Sequence, residues 1–500
     1  MSRGPSRLGS LCVTGAICAL AGCAVGPDLR VPQPPAVERY TAQALPAATA
    51  SAPGPAGEAQ RFTSDAPVDA RWWRGFGSEA LDRLVEDALA RNPDLQGADA
   101  ALEAARALAQ AQQATLWPSV DLHLQPTRQS IAASTSSPLA SGASIYTLHT
   151  AQLNIAYAPD LFGGGRRQVE NARAQAQAQA FQREAARLTL ATGVVAAAIQ
   201  EASTRAQREA VREMAVLAAE QLDAVRRQHA AGLSGPADVA AQEAAQAQIA
   251  ALEPPLDKQL ALLRDQLAAL TGRAPAEAAD LPVIELRELR LPATLPLSLP
   301  SELVRQRPDV RAAEAQLAAA NAQIGVAAAA RLPSLALTAN LGASALTLGQ
   351  LGRAGSGFWG IAGDLAQPLF DAGALAHRED AARAGERQAA AQYRSTVLAA
   401  FQNVADTLHA IEADARALAL AQQFDAAAER SWQIARGQWQ AGAVAYPAVQ
   451  AAQQARIQAS LSLTQARAAR HADVTALFQA LGGGWWERTD LPPELVGQDH

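Results

Sequence analysis

Two periodicities alternate along the chain. Apolar residues recur at helical spacing over long stretches, as in Val194, Val195, Ala198, Ile199 and Ala202, a strip flanked by Gln, Glu and Arg. Between such stretches the period shortens to two. Val120, Leu122 and Leu124 alternate with Asp121, His123 and Gln125, and Leu153, Ile155 and Tyr157 alternate with Gln152 and Asn154. A second pair follows: Leu335, Leu337, Ala339 and Leu341 against Ala336, Thr338 and Asn340, then Trp359, Ile361 and Gly363 ahead of Leu365. The long period predicts amphipathic helices, and the short one predicts strands with one apolar and one polar face. Taken alone, such a strand suits a half-buried soluble hairpin and a transmembrane strand between lipid and water equally well.

The order helix, two strands, long helix, sharp turn, helix occurs twice. Asn92-Pro93-Asp94 matches Arg307-Pro308-Asp309, and Leu116-Trp117-Pro118-Ser119 matches Arg331-Leu332-Pro333-Ser334, both 215 residues apart. Leu161-Phe162-Gly163-Gly164-Gly165 matches Leu369-Phe370-Asp371-Ala372-Gly373 at an offset of 208. Ala231-Gly232 matches Ala441-Gly442 at 210, and Leu270-Thr271-Gly272 matches Leu481-Gly482-Gly483 at 211. The offset changes across loops, where insertions are tolerated, so an internal duplication is the simplest account.

The first repeat is expected over residues 71–272, with a helix at 81–116, a β-hairpin at 119–158, a long helix at 165–231 and a helix at 236–271. The second is expected over 301–483, with a helix at 301–330, a hairpin at 334–367, a long helix at 373–441 and a helix at 447–481. Residues 273–300 link the repeats and 484–500 form a tail. No proline interrupts either long helix, so each can reach about 100 Å at a rise of about 1.5 Å per residue, too long for the interior of a compact domain.

Four strands cannot close a barrel, since even one filled by side chains needs about eight, and an open sheet edge is not tolerated in lipid. Three copies sharing one barrel would satisfy the backbone. The links at 131–146 and 343–357 are rich in Ser, Ala and Gly, as longer extracellular loops can be.

Composition narrows the classes further. With 49% hydrophobic and 18% charged residues, the chain is neither a disordered polyelectrolyte nor a multi-span helical membrane protein. Only 4% is aromatic and Ala dominates the apolar set, which suits close helix-on-helix layers. The net charge is -6 and Lys258 is the only lysine, so there is no basic stripe and no nucleic-acid partner is expected.

Arg3 and Arg7 precede an apolar stretch from Leu11 to Leu20, too short to span a bilayer permanently but suited to a signal h-region. It ends in Leu20-Ala21-Gly22-Cys23, which resembles a bacterial lipobox. Residues 1–22 are therefore expected to be removed as a lipoprotein signal peptide and Cys23 to be acylated, with several acyl chains giving stable attachment. Ala24 in place of an aspartate favours the outer membrane. A chain starting at Cys23 has one thiol and no internal disulfide. Residues 23–70 contain Pro32, Pro34, Pro35, Pro46, Pro53, Pro55 and Pro67, predicting an extended lipidated tether, with the folded body beginning near Trp72.

No catalytic, metal or cofactor site is expected. The seven histidines are scattered without metal-ligand spacing, and Glu379-Asp380 are adjacent on a helix and point apart. The Gly163 to Gly165 run lacks the Gly-Lys-Ser/Thr ending of a phosphate loop and reads as a strand-to-helix hinge. Phe162 and Phe370 beside the hinges suit either a membrane interface or core packing. Trp72, Trp73, Trp485 and Trp486 read as packing residues.

Several motifs follow one another in a telling order: Cys23-Ala24-Val25-Gly26-Pro27-Asp28, Trp72-Trp73 through Phe76, Leu299-Pro300-Ser301, and Arg307-Pro308-Asp309-Val310 with Ala313-Glu314. Gln367-Pro368-Leu369-Phe370-Asp371-Ala372-Gly373 and Ala480-Leu481-Gly482-Gly483-Gly484-Trp485 complete it. This order resembles the TolC-like outer-membrane efflux protein family, in its OprM/NodT-type lipoprotein branch. The resemblance implies a mixed α and β membrane protein whose chains, each with two repeats of long helices plus two strands, form a homotrimer. Its twelve-stranded β-barrel in the outer membrane would continue into a twelve-helix periplasmic α-barrel, with a belt formed by residues 273–299 and both chain ends.

The same resemblance implies a passive duct rather than an enzyme, exporting drugs or other small toxic compounds with a periplasmic adaptor and an inner-membrane pump of the RND type. The turns at Gly232, Leu233 and Ser234 and at Gly442, Ala443 and Val444 would be periplasmic tips that contact the adaptor. One departure is that Asp238 has Val449 at the matching place, and Pro447-Ala448 replaces a bulky apolar pair common in the family. A duct for type I protein secretion shares this architecture, and the residues by themselves also admit a lipid-anchored coiled-coil scaffold with soluble hairpins.

Overall fold

The computed structural model describes residues 25–64, 68–132 and 143–495, so Cys23, the signal segment, the middle of the 131–146 link and the last five residues lie outside the described residues. In chain order the elements of the first half are β1 (Arg61–Ser64), α1 (Glu79–Arg91), α2 (Pro93–Ala114), β2 (Ser119–Ser130), β3 (Ile145–Tyr157), α3 (Gly164–Ala230), α4 (Pro236–Ala250) and α5 (Glu253–Leu270). There follow β4 (Thr294–Leu297), α6 (Pro300–Gln306), α7 (Pro308–Ala329), β5 (Ser334–Ala345), β6 (Gly357–Ala366), α8 (Ala374–Gln440) and α9 (Tyr446–Ala480). The chain divides into two compact units. Among the described residues, one comprises 25–32, 102–132, 143–178 and 313–393; the other comprises 33–64, 68–101, 179–312 and 394–495.

The first unit is built on one antiparallel sheet in the order β2-β3-β5-β6. Its described chain begins docked at the hinge after β3: the amide of Val25 donates to the Phe162 carbonyl at 3.0 Å, and the Asn321 side chain donates to the Pro27 carbonyl at 3.0 Å. Gly26 lies so close to Gly325 that a Cβ on it would sit 2.6 Å from the Gly325 Cα.

The second unit is helical around a core that includes Trp72, Trp73, Phe76, Phe181 and Trp485. Trp72 stacks on Phe478 with centroids 5.2 Å apart, and Phe181 meets the edge of Trp485 at 5.7 Å. The expected 81–116 helix is two helices. Pro93 disfavours the α conformation at the residue before it, so Asn92 turns to ψ 126° and ends α1. Asn92 then caps α2, its Oδ1 accepting from the Asp94 and Leu95 amides, while its Nδ2 donates to the Leu270 carbonyl at 3.0 Å. The expected 301–330 helix breaks the same way at Arg307 before Pro308. Here the Arg307 guanidinium donates to the Ala480 carbonyl at 3.1 Å.

A third break corrects the expected 236–271 helix. Pro254 and Pro255 open α5, and neither can donate a backbone hydrogen bond to the preceding turn, so α4 stops at Ala250. In the second half α9 has no proline after Pro447 and runs unbroken for 35 residues.

The tether expectation also needs amending at its distal end. Residues 61–64 form β1, parallel to β4, with Leu295 of β4 fully buried. Arg470 of α9, only 2% exposed, holds the preceding segment by donating to the carbonyls of Ala56 at 2.6 Å and Glu58 at 3.1 Å and to Gln60 Oε1 at 2.7 Å. Four-residue strands carry too few alternations to stand out in a Pro-rich background.

Candidate functional site

Register sorts the sheet into two chemically distinct faces. On one, Leu122, Leu153, Leu341 and Trp359 form a continuous cross-strand row, beside a row of Val120, Ile155, Ala339 and Ile361. These side chains are not covered: Leu124 is 72% exposed, Trp359 75% and Ile361 78%. Contiguous bare apolar surface of this kind marks contact with lipid or protein. On the other face, Asp121, Asn154, Asn340 and Gly360 form one row, and His123, Gln152, Gly342 and Phe358 the next. β2 and β6 are the outer strands, each paired on one side only among the described residues.

Each strand pair feeds a long helix through a capped hinge. Asp160 accepts from the amides of Gly165 at 3.1 Å and Arg166 at 2.9 Å, and Asp371 accepts from Gly373 at 2.9 Å and Leu375 at 2.8 Å. Those amides at the start of α8 stabilise the charged form and lower the Asp371 pKa. The glycine run thus lies at the start of α3, with Gly163 at φ 81°. Phe370 is 91% exposed, whereas Phe162 is half-buried.

The two helix-to-helix turns end α3 and α8 in the same manner. Leu233 N donates to Gln228 O at 2.9 Å and Gly232 N to His229 O at 2.9 Å; Ala443 N donates to Gln438 O at 2.8 Å and Gly442 N to Trp439 O at 2.9 Å. Gly232 at φ 74° and Gly442 at φ 73° supply the left-handed residue such caps require. Leu233 is 79% exposed, Gly232, Gly442 and Ala443 are also exposed, and Ser234 and Val444 are half-buried.

Near these turns Val225, Tyr446 and Val449 share one apolar cluster with Val239, Ala435 and Trp439, so the helices bearing both turns pack together. Asp238 caps its own turn, accepting from Gly235 N at 3.0 Å. The other turn relies on Tyr446, packed edge-on against Trp439 with centroids 5.3 Å apart and pushed up to a pKa of about 12 by burial. Sequence reading missed this aromatic pair; the seven-residue spacing of Trp439 and Tyr446 across a Gly turn was its only signal. A groove of about 600 Å³ between α4 and α9 is lined by Ala241, Ala245, Gln248, Gln454 and Ile457 among others.

Titratable groups elsewhere serve packing. Glu184 is buried between Arg183 at 2.7 Å and Arg488 at 2.5 Å. Burial and the neighbouring Asp414 raise Asp473 to about 7, and burial lowers His471 to about 4. Among the described residues no group of three or more His, Cys, Asp or Glu side chains is placed to hold a metal, and no helix is long and apolar enough to cross a membrane.

Fold and surface together define a helix-rich chain of mixed α and β structure with a two-faced four-stranded sheet whose apolar side lies bare. A family model for outer membrane efflux proteins matches residues 84–273 and again 299–483, and the chain belongs to that family. It is 32% identical over 425 residues to the pyoverdine export outer membrane protein OpmQ of Pseudomonas aeruginosa, covering 84% of this chain and 89% of OpmQ. It is 29% identical to the probable efflux pump outer membrane protein TtgC of Pseudomonas putida, covering 96% of each. The solved outer membrane channel MtrE of Neisseria gonorrhoeae superposes with a TM-score of 0.80 at 26% identity, covering 92% of this chain and 98% of MtrE.

Proposed function

We propose that this chain is the outer-membrane channel of a tripartite efflux pump, a passive duct for drugs or other small toxic compounds. The observation that carries this reading is the sheet: one face bare and apolar, the other polar, and an outer strand at each edge that among the described residues is paired on one side only. In lipid such edges must find partners, and three copies joined β2 to β6 would close a twelve-stranded barrel with its polar face inward. The long helices α3 and α8 would continue the duct in the periplasm. Likeness to an exporter of pyoverdine and to an efflux pump component supports small-molecule export. In this reading an inner-membrane pump of the RND type drives it.

In this reading Gly232, Leu233, Ser234, Gly442, Ala443 and Val444 contact the periplasmic adaptor. Their support is the exposed pair of matching turns and the groove beside them. Cys23 carries the lipid anchor, supported by the lipobox-like Leu20-Ala21-Gly22-Cys23 and by the docking of Val25 two residues later.

Purified protein in detergent should have the mass of three chains and conduct ions in planar bilayers. A stable monomer without conductance rules the reading out. A deletion strain screened against antibiotics, dyes and metal ions should gain sensitivity to the exported class.

A further inference from the structure

We propose that a cavity of about 700 Å³ in the helical unit, lined by Arg205 and Arg467, binds a monocarboxylate with an apolar body. Four stretches of chain enclose it. α3 presents one face, Ala202, Arg205, Ala206, Glu209, Ala210 and Glu213, at helical spacing. α9 adds Thr464 and Arg467. Pro55 and Ala56 come from the segment ahead of β1, and Leu286 with its neighbours Glu285 and Arg287 from the link between the repeats. A cavity of this size suits a small organic molecule, and its alanines, Pro55 and Leu286 offer the molecule's body an apolar wall.

The two arginines lack acceptors. Arg467 makes no hydrogen bond or ion pair among the described residues; Asp425 of α8 acts on it only across space. Its Nε is shielded from solvent with no acceptor, and burial holds its pKa below the ordinary arginine value. Arg205 is little better served. It shares the carboxylate of Glu201 with Arg264, and its own Nε is likewise shielded without an acceptor. A buried donor without a partner costs free energy, and a guanidinium is matched best by a carboxylate, through paired hydrogen bonds. The third arginine of the lining, Arg287, already pairs with Glu285. Glu209 and Glu213 line the same cavity, exposed and without ion-pair partners among the described residues, and would repel a second negative charge on the ligand. One carboxylate on an apolar body meets both conditions.

The test is equilibrium dialysis of the full-length protein in amphipol, with binding to protein-free amphipol subtracted. The probes are naphthoate, its neutral amide and a naphthalene dicarboxylate. Wild type should bind naphthoate about tenfold or more tightly than either of the others, and Arg467→Gln should lose that preference. Removing Arg467 breaks no bond, so this variant should melt no lower than wild type, and naphthoate should raise the melting temperature of wild type but not of the variant. Ala206→Phe, which fills the cavity with Arg467 in place, should also block binding. Glu209→Gln with Glu213→Gln should bring the dicarboxylate close to naphthoate. A wild type that binds naphthoate no better than the amide or the dicarboxylate, or an Arg467→Gln variant with wild-type affinity, overturns the proposal. Neither outcome touches the channel reading, and a protein that binds the carboxylate yet conducts no ions would overturn that reading alone.

Discussion

Gly272 and Gly482 close the turns beyond α5 and α9 with the same backbone bond, to Ala269 O and Gln479 O, one residue off the sequence match that pairs Gly272 with Gly483; each has a positive φ and is pressed against the carbonyl of a residue beside a proline break. A Cβ on Gly272 would meet Arg91 O at 2.5 Å, and one on Gly482 would meet Gln306 O at 2.8 Å. Gly232 has a similar φ of 74° but nothing within 4 Å. Gly232→Ala should therefore cost only the left-handed penalty of about 1–2 kcal/mol, whereas Gly272→Ala and Gly482→Ala add steric strain at the backbone. Melting temperatures should fall more for the second pair than for the first, and equal losses would show that the close approaches relax freely. Asp473 makes a second prediction. Its native pKa of about 7 lies above the ordinary carboxylate value because of burial and Asp414, so the native state binds more protons than the unfolded state between about pH 4 and 7. Its contribution is full at low pH and is lost as pH rises through 7. His471, lowered to about 4, acts oppositely and only below its ordinary value of 6.5. Above pH 6.5 His471 no longer contributes, and Asp473→Asn, which relieves the buried pair with Asp414, should melt at higher temperature than wild type at pH 8, with the difference shrinking towards pH 5.

Strands of twelve, thirteen, twelve and ten residues are legible in sequence because two-residue alternation persists through Val120, Leu122, Leu124 and their counterparts. The helix breaks at Asn92 and Arg307 were harder to read, since apolar spacing continues across them and only the following prolines mark them. β1 and β4 were illegible, being fixed by pairing with each other from distant parts of the chain rather than by local pattern, while Arg470 holds the segment just before β1. The turn residues were legible as turns, while the Trp439–Tyr446 contact needed the packed helices to appear. Face assignment carries its own prediction. Leu122→Arg or Ile361→Arg puts a charge on the bare apolar face and should cost up to about 2–4 kcal/mol of folding in bilayers, whereas Thr338→Ser on the polar face should be nearly neutral. Folded yield in vesicles measures this, and an arginine tolerated at both positions would mean that the face does not meet lipid.

Closure of the proposed trimer follows from strand direction. All neighbours in the β2-β3-β5-β6 sheet are antiparallel, so β2 and β6 run in opposite directions and the β2 edge of one copy can continue the ladder at the β6 edge of the next. The contact joins two different surfaces, and a heterologous contact closes into a ring only when the rotation fits. Closing a barrel staggers the register across the seam, so a cysteine at Val120, Leu122 or Leu124 combined in turn with one at Trp359, Ile361 or Leu365 should for at least one pair let a flexible bismaleimide link β2 of each copy to β6 of its neighbour, giving a covalent ring of three on a denaturing gel. Each single-cysteine variant should remain monomeric on that gel, because a β2 edge meets no second β2 edge. Dimers from the Leu122→Cys variant alone would signify a twofold pairing of like edges, which leaves both β6 edges unpaired and cannot wall a pore in lipid.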